Sequence, residues 1–277
     1  MKNITTLTVL LILGMGISYG QGSSTKASSS AEPDTIAIIT LDSISMQLRI
    51  PASLTKGSNG AGVAYNPVKK LYYAAFAGNT SFPMVVFNAK GEVVTDTCTT
   101  MIDVRGIWYN PKTATLEANG YAQHGMIQYK LNKAGVPSSF TYLFSNSPQP
   151  DDNSVAAYDP VHDELLYFES DYPELYIDRY SKSTGKSLNA LYMNIGETDV
   201  DYLNTTVVYT GIKGAEIAVV DFDLNVIHLF NLDGNETRYV NLPDDTVVEE
   251  QFNFAYANGM FWLFDTAARV WNGYKVK

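Results

Sequence analysis

The chain has one cysteine in 277 residues, Cys98, so it can form no internal disulfide and packing alone must hold the fold. Cys98 lies in Thr95–Thr100, which reads as an outer strand. No basic neighbour is there to lower its pKa, so a buried, inert thiol is expected. Basic residues are also scarce. Nineteen Lys and Arg stand against 29 Asp and Glu, a formal net charge of -10, and no run of five basic residues occurs. Phosphate backbones need clustered Lys and Arg, so the charge argues against nucleic acid as a partner, and against an anionic membrane surface. The three histidines, His124, His162 and His228, show no zinc-type spacing and read as surface or hairpin residues. A Gly-x-Ser-x-Gly elbow and a Gly-rich phosphate loop are both missing.

Long apolar runs are missing too. Leu7–Ile17 is apolar over about 11 residues, short of the roughly 20 needed to span a bilayer. With Lys2 ahead of it and Ser18-Tyr19-Gly20 behind it, residues 1–20 read as a secretory signal. The expected location is secreted or periplasmic, with no membrane insertion after cleavage. Residues 21–34 are rich in Ser with Gly, Ala and Pro, and read as a flexible tether. Residues 35–277 read as a single domain.

What is plentiful is tyrosine, 19 of them, and a repeat that carries it. Val63-Ala64-Tyr65-Asn66-Pro67 leads into the apolar strand Leu71–Phe76. The pattern returns at Ile107-Trp108-Tyr109-Asn110-Pro111 and Ala156-Ala157-Tyr158-Asp159-Pro160. A weaker copy holds Tyr209, and a fifth runs through Phe254-Ala255-Tyr256-Ala257-Asn258-Gly259. The tyrosines step by 44, 49, 51 and 47 residues (65→109→158→209→256). A period of roughly 40–50 residues is that of four-stranded propeller blades. The first four repeats also close on a Gly hairpin, such as Ala89-Lys90-Gly91 or Ser183-Thr184-Gly185. The last repeat has three strands, while the strand-like Ile36–Ile50 has no blade of its own. An all-β propeller of five four-stranded blades is therefore predicted, its ring closed by the N-terminal segment. Six blades would need more strands than that segment offers.

Loops leading into the innermost strands of a propeller gather at one mouth of the channel. Counting six residues back from each repeat tyrosine gives Asn59, Asp103, Asp152, Leu203 and Glu250, with Asp201 and Asn204 beside Leu203. Asn59, Asp103, Asp152, Asp201 and Glu250 are the candidate ligand-binding residues. A ring of such side chains can supply the six to eight oxygens that Ca²⁺ takes, which makes Ca²⁺ the candidate cofactor. Solvated turn-capping residues are the plainer reading of the same positions. The aromatic set Trp108, Tyr121, Tyr172, Tyr176 and Trp271 reads as blade packing, or else as the lining of a groove.

The apolar-Tyr-Asn/Asp-Pro step, the strand after it and the Gly hairpin resemble those of secreted β-propellers that include NHL-repeat and gluconolactonase-like proteins. The gluconolactonase-like resemblance implies a divalent metal at the channel mouth, on Asn59, Asp103, Asp152 and Glu250. It also implies a lactonase or esterase chemistry in which the metal polarises a carbonyl and an Asp acts as base. Partly by analogy with other propellers, the expected role is a recognition module that binds a small molecule or a protein at the mouth. A metal-dependent hydrolase is the alternative, and the default state is a monomer. Mass spectrometry of the exported protein should find Gln21 as its first residue; a retained leader would make residues 1–20 an anchor.

Overall fold

The computed structural model describes residues 36–276, except 42, 53, 55–57, 79–80, 172–173 and 196–199. The expected leader and tether, and Tyr172 among the aromatic candidates, lie outside the described residues.

The N-terminal segment supplies β1 (Ala37–Thr40) and β2 (Met46–Arg49). Blade 1 is β3 (Asn59–Asn66), β4 (Leu71–Ala77), β5 (Pro83–Asn88) and β6 (Val93–Thr99). Blade 2 is β7 (Val104–Asn110), β8 (Thr115–Gly120), β9 (Met126–Leu131) and β10 (Pro137–Phe144). Blade 3 is β11 (Ala157–Asp159), β12 (Glu164–Asp171), β13 (Glu174–Ser181) and β14 (Leu191–Met193). Blade 4 is β15 (Val208–Tyr209), β16 (Ile217–Asp221), β17 (Val226–Phe230) and β18 (Glu236–Asn241). Blade 5 takes β19 (Phe254–Ala257), β20 (Met260–Asp265) and β21 (Val270–Lys275) from the end of the chain. Its fourth strand is β2, antiparallel to β21, with Leu48 opposite Trp271. The fold is thus a five-bladed β-propeller closed by the N-terminal segment.

Only half of that segment closes the ring. β1 instead pairs in parallel with β18, Ala37 opposite Arg238 through Thr40 opposite Asn241, and gives blade 4 a fifth strand. That sheet also contains the weakest innermost strand, since β15 pairs over only two residues.

Local chemistry explains why the repeat folds as it does. In blade 1 the Asn66 Oδ1 accepts the backbone N–H of Val68 at 3.0 Å and of Lys69 at 3.1 Å. Asn110 Oδ1 does the same for Lys112, and Asp159 Oδ1 for Val161 and His162. The proline between presets φ for the turn. Blade 5 uses Asn258-Gly259, both at positive φ (55° and 71°), the geometry of a two-residue hairpin.

Tyrosine hydroxyls in the second and third strands tie blades together. Tyr73 donates to the Gly135 carbonyl at 2.6 Å, Tyr129 to Thr100 at 2.7 Å, and Tyr167 to Pro148 at 2.7 Å. Around the axis each innermost strand packs on the next, from β3 through β7, β11, β15 and β19 back to β3. Small residues permit it. A Cβ on Gly106 would stand 2.4 Å from the Ala156 carbonyl oxygen of the neighbouring blade, and neither backbone is free to move. Gly106→Ala should therefore cost about 2–3 kcal/mol, as overpacked cores do. At this size that is a fall in melting temperature of about 5–10 °C, read by circular dichroism; an unchanged melt would mean the two strands are not in contact.

Candidate functional site: two unlike ends of one channel

Pro67, Pro111, Pro160, Gly211 and Asn258, which follow the five innermost strands, line a single cavity. All five first turns therefore share one end of the channel, called here the turn end. Strands alternate within a blade, so the hairpins between third and fourth strands lie at the turn end too. The loops leading into the innermost strands meet at the opposite, loop end.

The predicted ring positions all fall at the loop end, yet none of them lines the cavity. Asp103 is not an open ligand. Its two carboxylate oxygens accept from the Arg105 guanidinium at 2.9 and 3.2 Å, and one of them also accepts the Gly78 N–H. Arg105, only 6% exposed, donates to Asn153 Oδ1 from blade 3. Its guanidinium lies over the rings of Tyr121 and Phe252, 4.8 and 5.5 Å from their centroids. One cation thus bridges blades 2, 3 and 5 across the axis. Asn59 is exposed in β3, and Asp152, Asp201 and Glu250 are exposed on their loops. The Asp152 carbonyl accepts the Ala122 N–H and the Glu250 carbonyl accepts that of Thr205. Among the described residues no three of His, Cys, Asp and Glu form a group able to hold a metal ion. Asn204, beside the aligned Leu203, is buried and donates to the carbonyls of Glu249 and Phe252.

The cavity at the turn end has a volume of about 460 Å³. Its wall is apolar and aromatic, carries no charged side chain, and includes all five repeat tyrosines, Tyr65, Tyr109, Tyr158, Tyr209 and Tyr256, together with Trp108. Those tyrosines served as the register of the repeat. Their spacing already stated that one ring per blade would reach the same level of the channel, but a residue that marks a fold does not advertise itself as a site. Of the other aromatic candidates, Trp271 is fully buried in blade packing and Tyr121 sits under Arg105.

The rings are held by an inner polar layer. Tyr158 donates to Asp163 at 2.8 Å, and its ring lies beside Trp108 and under the Lys182 ammonium. Burial, then the Asp163 carboxylate, pushes its hydroxyl far above the ordinary range. Burial and Asp159 do the same to Tyr209, so both hydroxyls stay protonated at neutral pH. Beneath Trp108 the fully buried Glu117 accepts from Trp108 Nε1, Asn110 and Gln128 and pairs with Lys182 at 3.1 Å. A buried carboxylate is tolerable only when so fully bonded. The histidines likewise serve structure. His162 bonds Asp159, and His228, expected at the surface or in a hairpin, is buried in β17 against Glu236 at 2.6 Å. Cys98 is half-buried, and burial raises its thiol, in keeping with an inert side chain.

Charge divides between the two ends. Lys69, Lys70, Lys112 and Lys213 lie on the turns after the innermost strands, and Lys90, Lys133, Lys182 and Lys186 on the outer hairpins. Lys130 and Lys275 close β9 and β21 at the same end. No described lysine lies at the loop end. There Asp151, Asp152, Asp201, Asp223, Asp244, Asp245 and Glu250 are exposed instead.

No protein-family model and no curated protein matches the chain. Among solved structures, a chain of a nidogen/laminin complex is similar at 13% identity and a TM-score of 0.41, over 76% of this chain and 72% of that one.

The loop end yields a pH test. Glu169 on β12 is pushed up to about 7 by burial, helped by Asp151 and Asp178. A carboxyl raised above its ordinary 4.5 favours the folded state at low pH and costs stability as pH rises through about 7. Discounted for its partial exposure, Glu169→Gln should gain about 1–2 kcal/mol at pH 8 and nothing at pH 4. Urea melts at the two pH values check this, and an equal gain at both would remove the electrostatic cause.

Proposed function

We propose that the protein is a recognition module that takes an uncharged part of a small molecule or of a protein partner into the tyrosine-ringed end of its channel. The observation that carries this reading is the cavity itself: about 460 Å³, walled by five tyrosines and Trp108 with no charged side chain. That volume and lining suit binding sites, which run roughly 300–1,000 Å³ and are mostly apolar with a few polar handles. Tyrosine supplies area and a hydroxyl at little entropic cost. The likeness of the repeat to NHL-type propellers supports the same reading, as does the leader-like pattern of residues 1–20, which suits a secreted or periplasmic module.

The hydrolase alternative would work at the loop end. There Asp103 already has a guanidinium partner, which a divalent cation would have to displace. Recognition at the turn end requires no such rearrangement.

A thermal-shift screen of fragments and short peptides tests the proposal, since a ligand that binds only the folded state raises the melting temperature. Hits should lose their shift in Tyr109→Ala and Tyr256→Ala and keep it in Asp152→Ala. The opposite pattern, or a Ca²⁺-dependent rise that EDTA abolishes and Asp152→Ala removes, would move the function to the loop end and favour the hydrolase.

A further inference from the structure

We propose that the turn end binds an acidic peptide segment, with one apolar side chain entering the tyrosine-ringed cavity and flanking carboxylates meeting the lysines around it. This rests on the recognition reading above and assigns the class of its partner.

Charge complementarity is the first support. All ten described lysines lie at this end, and all but Lys182 are exposed. The chain as a whole is at -10. Of the acids at this end, Asp159 is turned onto His162, Asp163 onto Tyr158, Glu164 onto Arg179 and Glu236 onto His228, while Glu92 and Asp233 stand exposed on the outer hairpins. An approaching anion therefore meets nine exposed lysines against two exposed carboxylates, Glu92 and Asp233. Lysine ammoniums on flexible stems suit scattered carboxylates, whereas a rigid phosphate site would favour arginine forks.

The cavity decides what lies between those carboxylates. Its wall offers Val63, Ile107, Val155, Val207 and Phe254, which match an apolar side chain and not the hydroxyls of a sugar. Val68 and Val161 stand 76% and 69% exposed on the turns bearing Pro67 and Pro160, which makes an apolar collar at the mouth. Thr206 adds a polar handle to those of the tyrosines. Thr206 is 2% exposed, and its hydroxyl has no hydrogen-bond partner among the described residues. A peptide carbonyl or amide reaching past the anchor would satisfy it.

The probe is a short fluorescein-labelled peptide of Asp and Glu around a single Phe, titrated by polarisation against the mature chain. Comparison peptides carry Ser for the acids, or Ala for the Phe. Binding should weaken at least about tenfold between about 0.05 and 0.5 M NaCl, because exposed charge pairs are screened. The triple variant Lys70→Glu, Lys112→Glu, Lys213→Glu should weaken it about tenfold with an unchanged melt, and Tyr109→Ala and the Ala peptide should do likewise. Equal binding of the Ser peptide would overturn the acidic partner and leave the recognition reading standing. Acidic-peptide binding that survives both Tyr109→Ala and loss of the Phe would overturn both. Tighter binding to polygalacturonate or to phosphatidylserine vesicles would overturn the peptide assignment. So would concentration-dependent self-association in sedimentation, which would give the lysine end to the acidic end of a second copy.

Discussion

Five strands can meet around one axis only where their side chains nearly vanish. The propeller depends on that constraint. Gly62, Gly106 and Ala156 let the innermost strands of blades 1, 2 and 3 approach to contact. Gly60 sits where any side chain would strike Trp271 of blade 5. Asparagines complete the seam. Asn253 and Gly60 exchange hydrogen bonds between blades 5 and 1, Asn119 holds both Ser154 and Ala156 at the start of blade 3, and Asn204 holds the approach to blade 5. Once the strands are that close, each blade splays outward, and the larger residues of neighbouring blades fill the wedges between sheets. The cavity is what remains at the end where the rings of Tyr65, Tyr109, Tyr158, Tyr209 and Tyr256 hold the strands apart.

The blade count was legible because the repeat is a physical unit. A strand, an Asx-Pro turn and a second strand recur wherever the same local hydrogen bonds close the same turn. Closure by the N-terminal segment was legible from a missing fourth strand at the other end of the chain. The parallel addition of β1 to blade 4 was not, since no turn or period announces a pairing between residues some 200 apart in sequence. The site was the least legible part. Asn59, Asp103, Asp152 and Glu250 aligned because loops share a length, which says which end they occupy and nothing about who neutralises them. Arg105, two residues after Asp103, answers that for Asp103, and a lone arginine inside a strand pattern gives no sign that it will lie across the axis.

Net charge was similarly blind. A sum of -10 describes the chain and not its surfaces. In a propeller, position along the chain alternates between two ends with each strand, so lysines placed on first turns and outer hairpins collect on one end whatever the total. The buried pairing of Glu117 with Lys182 belongs to the same arrangement. It carries charge from a turn-end hairpin of blade 3 into the wall beneath Trp108 and thereby ties blade 3 to blade 2 under the cavity rim.

The division of labour between β1 and β2 has a mechanical side. Tension applied to the chain ahead of residue 36 reaches β1 first, and β1 is held to blade 4 by a four-residue parallel ladder and the packing of Ile39. β2, the strand that keeps the ring shut, lies further along the chain and is loaded only after β1 has peeled away. The N-terminal segment therefore has a fuse ahead of its latch: a modest pull lengthens the linkage by the extent of β1 while five closed blades remain.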